Sequence, residues 1–493
     1  MQKFLTSKSI FFQKQTVLLL VLFFLVRFLS FILNGHLIIQ GILVFMLLML
    51  LGILYFKNPD WAWYLVLAEI FLGGAGHYLE FVGLSIRTLF IGFFLFLWIS
   101  QHIGQRMLKS KLKIHKYTTY LFLSLFAVLT FAIINGIYHN HNITRVISDF
   151  MPFTFLLLVF PAFHIFKKNY SQEYLVRLII VFLIGTAIFS LFTLVIFSIG
   201  LTQIHEPFYN WYRDINVGKI TDMQTGFFRI VESSHLIIVP IILLITSLLM
   251  RDEKHHKMWR LLLILAIIIL VLNLSRGYFL ALGVGLLILK YKHKWKQWIK
   301  ESLYVILLII IIFSGINFAT SMGQTFGWEL FGVRLKSFTQ PQIEISTNTR
   351  MMILPVAINM IKQNPILGIG LGATVTFMNT ETYQTFTTPH FDWGYLEMWI
   401  EMGLLGALLL IFIYCFVAYA LIQKIKIIPD WHDFDVGLLA GIVAFLVMNL
   451  TIAALFHVFG ILFLIFTLTI ALKYAFIFER LTSVLYQVFN KVK

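Results

Sequence analysis

The chain alternates between long apolar runs and short polar breaks. Apolar runs lie near 16–33, 37–56, 61–79, 84–101, 117–137, 146–166, 174–200, 235–250, 258–274, 277–291, 302–320, 395–422, 436–456 and 458–477. A helix needs about 20 apolar residues to cross a bilayer core, so each run predicts a membrane helix. The run 61–79 and the pair around residue 276 are short enough to be re-entrant, giving about 12–14 crossings. Most polar breaks are short. Two are long, at about 201–234 and about 321–394. Long connections among short ones are usually functional. Within the second, Met351 to Lys362 predicts an amphipathic helix lying at the membrane surface. The chain shows no internal repeat, no inverted pair of halves and no low-complexity tract.

Composition supports this reading. Of 493 residues, 60% are hydrophobic and 12% charged, with a mean hydropathy of +0.89. A soluble fold cannot hide that much apolar surface. A soluble enzyme, a disordered tail and a secreted disulfide scaffold are therefore excluded, and Cys415, the one cysteine, sits inside an apolar run. The expected fold is all-α: a single integral membrane domain over 1–493. The net charge of +16 would suggest nucleic acid in a soluble protein; here it places basic loops against anionic headgroups. With a cytoplasmic N-terminus, the runs Arg106 to Lys113, Arg251 to Arg260 and Lys290 to Lys300 fall inside, both termini are cytoplasmic, and both long loops are external. Lys3, Lys8 and Lys14 precede a first apolar run without a small-residue cleavage site, which reads as a first membrane helix and not a removed signal.

Charge at membrane depth costs roughly 2.5 kcal/mol or more for arginine, so arginines beside apolar runs need a reason. Four stand on the external side: Arg87, Arg229, Arg276 and Arg350. Arg276 sits in Asn273-Leu-Ser275-Arg276-Gly277, a break too short for a solvated loop. It either snorkels to headgroups or lines a polar cavity, and Gly277 allows close backbone packing. Arg229, in Gly226-Phe-Phe-Arg229-Ile-Val-Glu232-Ser-Ser-His235, either pairs locally with Glu232 or clamps an anion, since a guanidinium fork matches phosphate oxygens. Arg350 follows Thr347-Asn-Thr and opens the amphipathic segment; Arg87 follows Gly83-Leu-Ser-Ile. Either could be a solvated or headgroup-facing charge.

The stretch Asn364-Pro-Ile-Leu-Gly368-Ile-Gly370-Leu-Gly372 lacks the frame of a dinucleotide fingerprint and reads as a flexible turn beside a site. In Pro389-His390-Phe-Asp392-Trp393-Gly-Tyr395-Leu-Glu397, continuing to Glu401, polar groups approach one membrane face, with Glu397 and Glu401 one helical turn apart. His390 or Asp392 could act as a general base on a hydroxyl. Equally, Asp392 could cap a helix beneath an interfacial belt of Trp393, Tyr395 and Trp399. No His, Cys, Asp or Glu set has metal-ligand spacing, so no metal and no cofactor is expected.

Taken in order, these pieces resemble the O-antigen ligase and Wzy-type O-antigen polymerase superfamily of bacterial membrane proteins. The resemblance rests on Gly226-Phe-Phe-Arg229, Ser275-Arg276-Gly277, Asn348-Thr-Arg350 with its amphipathic segment, Asn364-Pro-Ile-Leu-Gly368-Ile-Gly370, and Tyr395 through Glu401-Met-Gly403-Leu-Leu-Gly406. Leu84-Ser-Ile-Arg87 fits more loosely. The resemblance extends over about 60–470, with the ligase/polymerase-like region at about 225–410. It implies a metal-independent, inverting transfer of a polyprenyl-diphosphate-linked glycan to a hydroxyl, on the outer face of the bacterial cytoplasmic membrane. It also implies Arg229, Arg276 and Arg350 as cations for the diphosphate, and His390 or Asp392 as the base, with Arg87, Glu232, Glu397 and Glu401 as secondary candidates. The ligase pattern has a histidine 11 residues before the glycine of Glu-x-Gly; counting back from Gly403, that position is Asp392, and His390 lies 13 before it. This departure favours a polymerase over a ligase. Implied partners are the lipid-linked glycan, the bilayer, a chain-length regulator and a flippase. The rivals are a transporter, which needs a charged path at mid-depth where only Arg27 and Glu69 stand out, and a scaffold, which gives the loop 321–394 no purpose.

Overall fold

The computed structural model describes residues 13–74, 76–81, 83–104, 116–165, 169–223, 225–250, 256–336, 340, 345–378, 384–389, 391–427 and 432–472. Each apolar run carries a helix, and the three sheets among the described residues are two-stranded hairpins. By length and composition, Lys14–Ile32, Leu37–Lys57, Thr119–Tyr138, Ile143–Phe163, Glu173–Ile199, Trp295–Thr320 and Gly394–Ile427 can cross a membrane. Ile86–Gln101, Ser233–Leu249, Arg276–Leu289 and Val458–Leu472 are shorter and equally apolar. Leu37–Lys57 leaves Ile38, Phe45, Met46 and Phe56 exposed, a surface that only lipid covers cheaply. The protein is a polytopic helical membrane protein. The single domain expected from the sequence divides into two compact units. One takes 1–112, 160–275 and 295–327; the other takes 113–159, 276–294 and 328–493.

In the first unit the apolar pattern overextends one short helix. Asn58 caps it through the Asp60 amide at 3.0 Å, with Pro59 in its first turn, and it runs only over Pro59–Leu72. Gly73, Gly74 and Gly76 follow, the last two at φ 55° and 89°. The freed carbonyls of a buried helix end need donors, and two arginines provide them. Arg87 donates to the carbonyls of Ile70 (3.2 Å) and Gly74 (2.7 Å) and pairs with the Glu69 carboxylate at 3.0 Å. Arg27 donates to the Leu72 carbonyl at 2.8 Å and lies 3.4 Å from the centre of the Phe23 ring. Both are 3% exposed. Cations at a helix C-terminus also meet the negative end of its dipole.

The second unit places the long helix Gly394–Ile427 against Lys116–Tyr138, His432–Met448 and Val458–Leu472. Buried Lys424 and Asp435, 2.8 Å apart, tie its far end to His432–Met448. Gly403, at φ 67°, kinks the long helix near its start. The segment between the helices Trp295–Thr320 and Gly394–Ile427 forms helices Trp328–Lys336 and Ile345–Gln363 and the hairpin Val375–Met378 with Thr385–Thr388. Ile353, Ala357 and Ile361 make one buried stripe on Ile345–Gln363, packed with Val375, Phe377, Phe391 and Ile400. The hairpin covers this stripe, while Met351 and Ile358 on the same helix stay exposed.

Candidate functional site

The second unit holds most of the sequence candidates. Helix Arg276–Leu289 begins two residues after Leu274, a non-glycine residue in the left-handed region at φ 46°. Gly277 then faces Thr451 so closely that a β-carbon there would sit 2.0 Å from its hydroxyl. The expectation of close packing at Gly277 is met, and it fixes the start of the helix. Arg276 donates from Nη2 to Thr347 Oγ1 at 2.7 Å. Thr347 and Arg350 are three residues apart on helix Ile345–Gln363 and so share a face. Arg350 Nε lies 3.7 Å from Asp392 Oδ2. Asp392 is also strained, at φ 57°, and such outliers at half-exposed polar positions are characteristic of functional sites. Helix Ile345–Gln363 thus brings two contacting pairs, Arg276 with Thr347 and Arg350 with Asp392, to one face. His390 lies outside the described residues.

Behind this group the loop 364–372 inserts between two helices, which corrects the reading of it as a flexible turn. The Gly403 kink frees the carbonyls of Ile400 and Glu401, and these accept from the amides of Ile369 (2.8 Å) and Gly370 (3.1 Å). The Leu404 amide donates to the Pro365 carbonyl at 3.1 Å, and the Leu371 amide to Ala132 at 3.0 Å. A β-carbon on Gly370 would meet the Gly136 nitrogen at 2.0 Å, and one on Gly403 the Ile366 carbonyl at 2.1 Å. The glycines are there because backbone touches backbone. The Gly372 amide donates to Asp149 at 3.0 Å. Asp149 in turn lies near Glu397 and Glu401, whose side chains descend one turn apart from the Asp392 end. Tyr395 and Trp399 donate to the carbonyls of Leu446 and Pro365, each at 2.7 Å. No group of three or more His, Cys, Asp or Glu among the described residues is placed to hold a metal.

The first unit holds Arg87, Arg229 and Glu232. Arg87 is committed to Glu69 and the helix end described above; it is part of the fold, and its secondary candidacy as a substrate contact is dropped. Arg229 lies on the hairpin Gly218–Asp222 with Phe228–Glu232, and its Nε donates to the Asn273 carbonyl at 2.7 Å. The local Arg229–Glu232 pair does not form. Strand alternation turns the two side chains to opposite faces. Glu232 instead accepts from Tyr212 and Ser234, each at 3.2 Å, and closes a capping box with His235. Glu232 is 1% exposed. Burial pushes its carboxyl above the ordinary range, with Arg27 pulling the other way. Burial and the neighbouring Glu232 together push the Tyr212 hydroxyl far up.

Sequence reasoning missed His235, Asn273, Thr347 and Asp149. The Glu232–His235 capping box departs from the usual pattern of Ser or Thr followed three residues later by Glu or Gln, so the sequence did not signal it. Asp149, more than two hundred residues from Gly372, gave no signal either.

Residues 261–411 match the family model described as O-Antigen ligase. That stretch includes Arg276, Arg350, Asp392, Glu397 and Glu401 and leaves out Arg229, Glu232 and Arg87. No curated protein matches the chain. Over this stretch the chain is similar to the O-antigen ligase family.

Proposed function

Starting from a membrane glycan enzyme of ligase or polymerase type, we propose that this protein polymerises lipid-linked glycan repeats on the outer face of the cytoplasmic membrane. The donor is a glycan on polyprenyl diphosphate. The observation that carries the reading is a pair of contacts, Arg276 with Thr347 and Arg350 with Asp392, brought to one face of helix Ile345–Gln363 inside the stretch that matches the O-antigen ligase family. Both arginines are half-buried, and Arg350 stands beside a carboxylate that is 46% exposed at its side chain. Arginine stays charged at any working pH and presents paired donors to phosphate oxygens. Cations aimed at a leaving diphosphate act where negative charge develops.

In the proposed step, the acceptor hydroxyl oxygen attacks the anomeric carbon from the face opposite the leaving group. The bond from that carbon to the diphosphate oxygen breaks, and its electron pair stays on the diphosphate beside Arg276 and Arg350. The hydroxyl proton passes to Asp392 or to His390. Arg229 is a third candidate cation. On this reading both termini are cytoplasmic, and a flippase and a chain-length regulator are the expected partners.

A second reading has its own support: the matched family is described as a ligase, so the glycan could instead be passed to a lipid or other acceptor. Transport is less well served, because Arg27 and Glu69, the deep charges it would use, are engaged in ending a helix.

The test uses cells whose surface glycan depends on this gene. Glycan length is compared on gels for wild type and for Arg276→Ala, Arg350→Ala, Asp392→Ala, His390→Ala and Arg229→Ala at matched membrane levels. Loss of one such interaction is expected to cost transfer roughly 10²-fold. For a polymerase, the Arg276 and Arg350 variants leave single repeats on the acceptor. For a ligase, they leave full-length glycan on the lipid carrier and none on the acceptor. Full-length glycan on the normal acceptor in every variant defeats both readings.

A further inference from the structure

We propose that His235 and Asn273 are positioning residues for Arg229, fixing the direction of its guanidinium through the Asn273 carbonyl. This rests on the reading of Arg229 as a cation for the donor diphosphate. All the contacts involved lie within the first unit.

The Arg229 contact is made by Nε, the stem nitrogen of the fork, at 2.7 Å from the Asn273 carbonyl. Because the guanidinium is planar, holding Nε sets the plane and the direction of both terminal nitrogens. The carbonyl that does this belongs to the last residue of helix His256–Asn273, where carbonyls have no partner within the helix. Its direction therefore depends on how Asn273 itself is held, next to the left-handed Leu274.

Asn273 is held by its side chain. Its Nδ2 lies 3.2 Å from His235 Nδ1, and both residues are fully buried. The Glu232 amide also approaches His235 Nδ1, at 3.4 Å. A backbone amide can only donate, so Nδ1 carries no proton, the ring proton is on Nε2, and Asn273 must present its NH2 group. The contacts close a circuit. Arg229 leads to the Asn273 carbonyl, the Asn273 side chain to His235, and His235 to the Glu232 amide, three residues along the chain from Arg229.

The capping box explains why His235 meets Glu232; it does not require Asn273. Among the described residues, Asn273 Oδ1 and His235 Nε2 are buried without a hydrogen-bond partner. Unpaired buried polar atoms cost stability, and two apolar side chains would fill the space without that cost. The polar pair is therefore better explained by the direction it imposes on the carbonyl than by stability.

The experiment is a double-mutant cycle in the full-length, membrane-embedded protein, reading donor turnover at matched membrane levels. His235→Phe keeps the ring and removes the acceptor. It is expected to lower transfer at least 10-fold, since about 1 Å of misplacement can cost 10²-fold. In that background Arg229→Ala should add less than about 2-fold, because residues acting through one another are not additive. His235→Gln, which restores an acceptor, should recover most of the loss; a merely structural role would show neither the non-additivity nor the rescue. If His235→Phe does not accumulate, Asn273→Leu takes its place in the cycle. Wild-type turnover in His235→Phe, or a full Arg229→Ala effect in that background, overturns the proposal. Arg229→Ala alone reports on the diphosphate reading. If that single variant turns over normally, the reading of Arg229 is what has failed, and the proposal falls with it.

Discussion

The two units meet the same difficulty in different ways. Each contains a stretch where a membrane helix is broken, at 73–79 in the first and at 364–372 against the Gly403 kink in the second. Each break frees main-chain groups where water does not replace lost hydrogen bonds. The first unit answers with side-chain charge: Arg27 and Arg87 close the end of Pro59–Leu72. The second answers with backbone: residues 365–371 bond the kinked helix and its neighbour directly, and glycine permits the approach. A buried arginine in such a protein can thus be a helix stop, and a glycine-rich stretch can be among its most tightly held segments. The arginines worth pursuing as ligand contacts are the half-buried ones, Arg229, Arg276 and Arg350.

The contrast predicts its sharpest failure at Gly370. Alanine there would sit at φ 92° with its β-carbon 2.0 Å from a main-chain nitrogen. Neither partner can move without separating the loop from helix Lys116–Tyr138. Gly370→Ala should therefore fail to accumulate as folded protein in the membrane, measured by size-exclusion of a fluorescent fusion in detergent. Gly92→Ala, with open space around its β-carbon, should accumulate normally. A well-folded Gly370→Ala would mean that the loop is loose after all, and the distinction between the units would disappear.

A smaller loss is expected on the charged side. Arg87→Ala leaves Glu69 buried without its guanidinium, and breaking a buried pair in this way costs about 3–5 kcal/mol. The thermal midpoint of the purified protein should drop clearly. Adding Glu69→Gln should recover part of the drop, because the stranded charge is then removed. If Arg87→Ala melts like wild type, the helix end is satisfied by other means.

These positions also show what could be read from the chain alone. Helix Leu37–Lys57 was legible almost to the residue, because uniform apolarity over a spanning length has one cheap solution in a bilayer. The run 61–79 was overextended. Apolarity continues past Leu72, but the chain there turns on Gly74 and Gly76 and is held by Arg87, 18 residues from Glu69. Hydropathy does not register a pairing of that kind. Among the candidate site residues, Arg276 and Arg350 were legible as charges needing a reason. The contact of Arg276 with Thr347 was not, since it joins positions 71 residues apart. The glycines at 368, 370 and 372 were visible, but sequence gives the same signal for a mobile turn and for contact between backbones.

The finest test of the charged side is Glu232. Burial raises its carboxyl above the ordinary range and Arg27 offsets this only in part, so the fold binds this proton more tightly than the unfolded chain does. The resulting stabilisation is complete below the ordinary glutamate value, about 4.3, and is lost as pH rises through the raised folded value. Glutamine at 232 does not titrate. It also loses one of the two oxygens that accept from Tyr212 and Ser234, so Glu232→Gln should melt below wild type at acidic pH. As pH rises, wild type loses its proton-linked stabilisation and the variant does not. The difference in thermal midpoint should therefore shrink as pH rises above the ordinary glutamate value. A gap that widens with rising pH would show that Arg27 and the hydroxyl donors outweigh burial, making Glu232 a stabilised carboxylate.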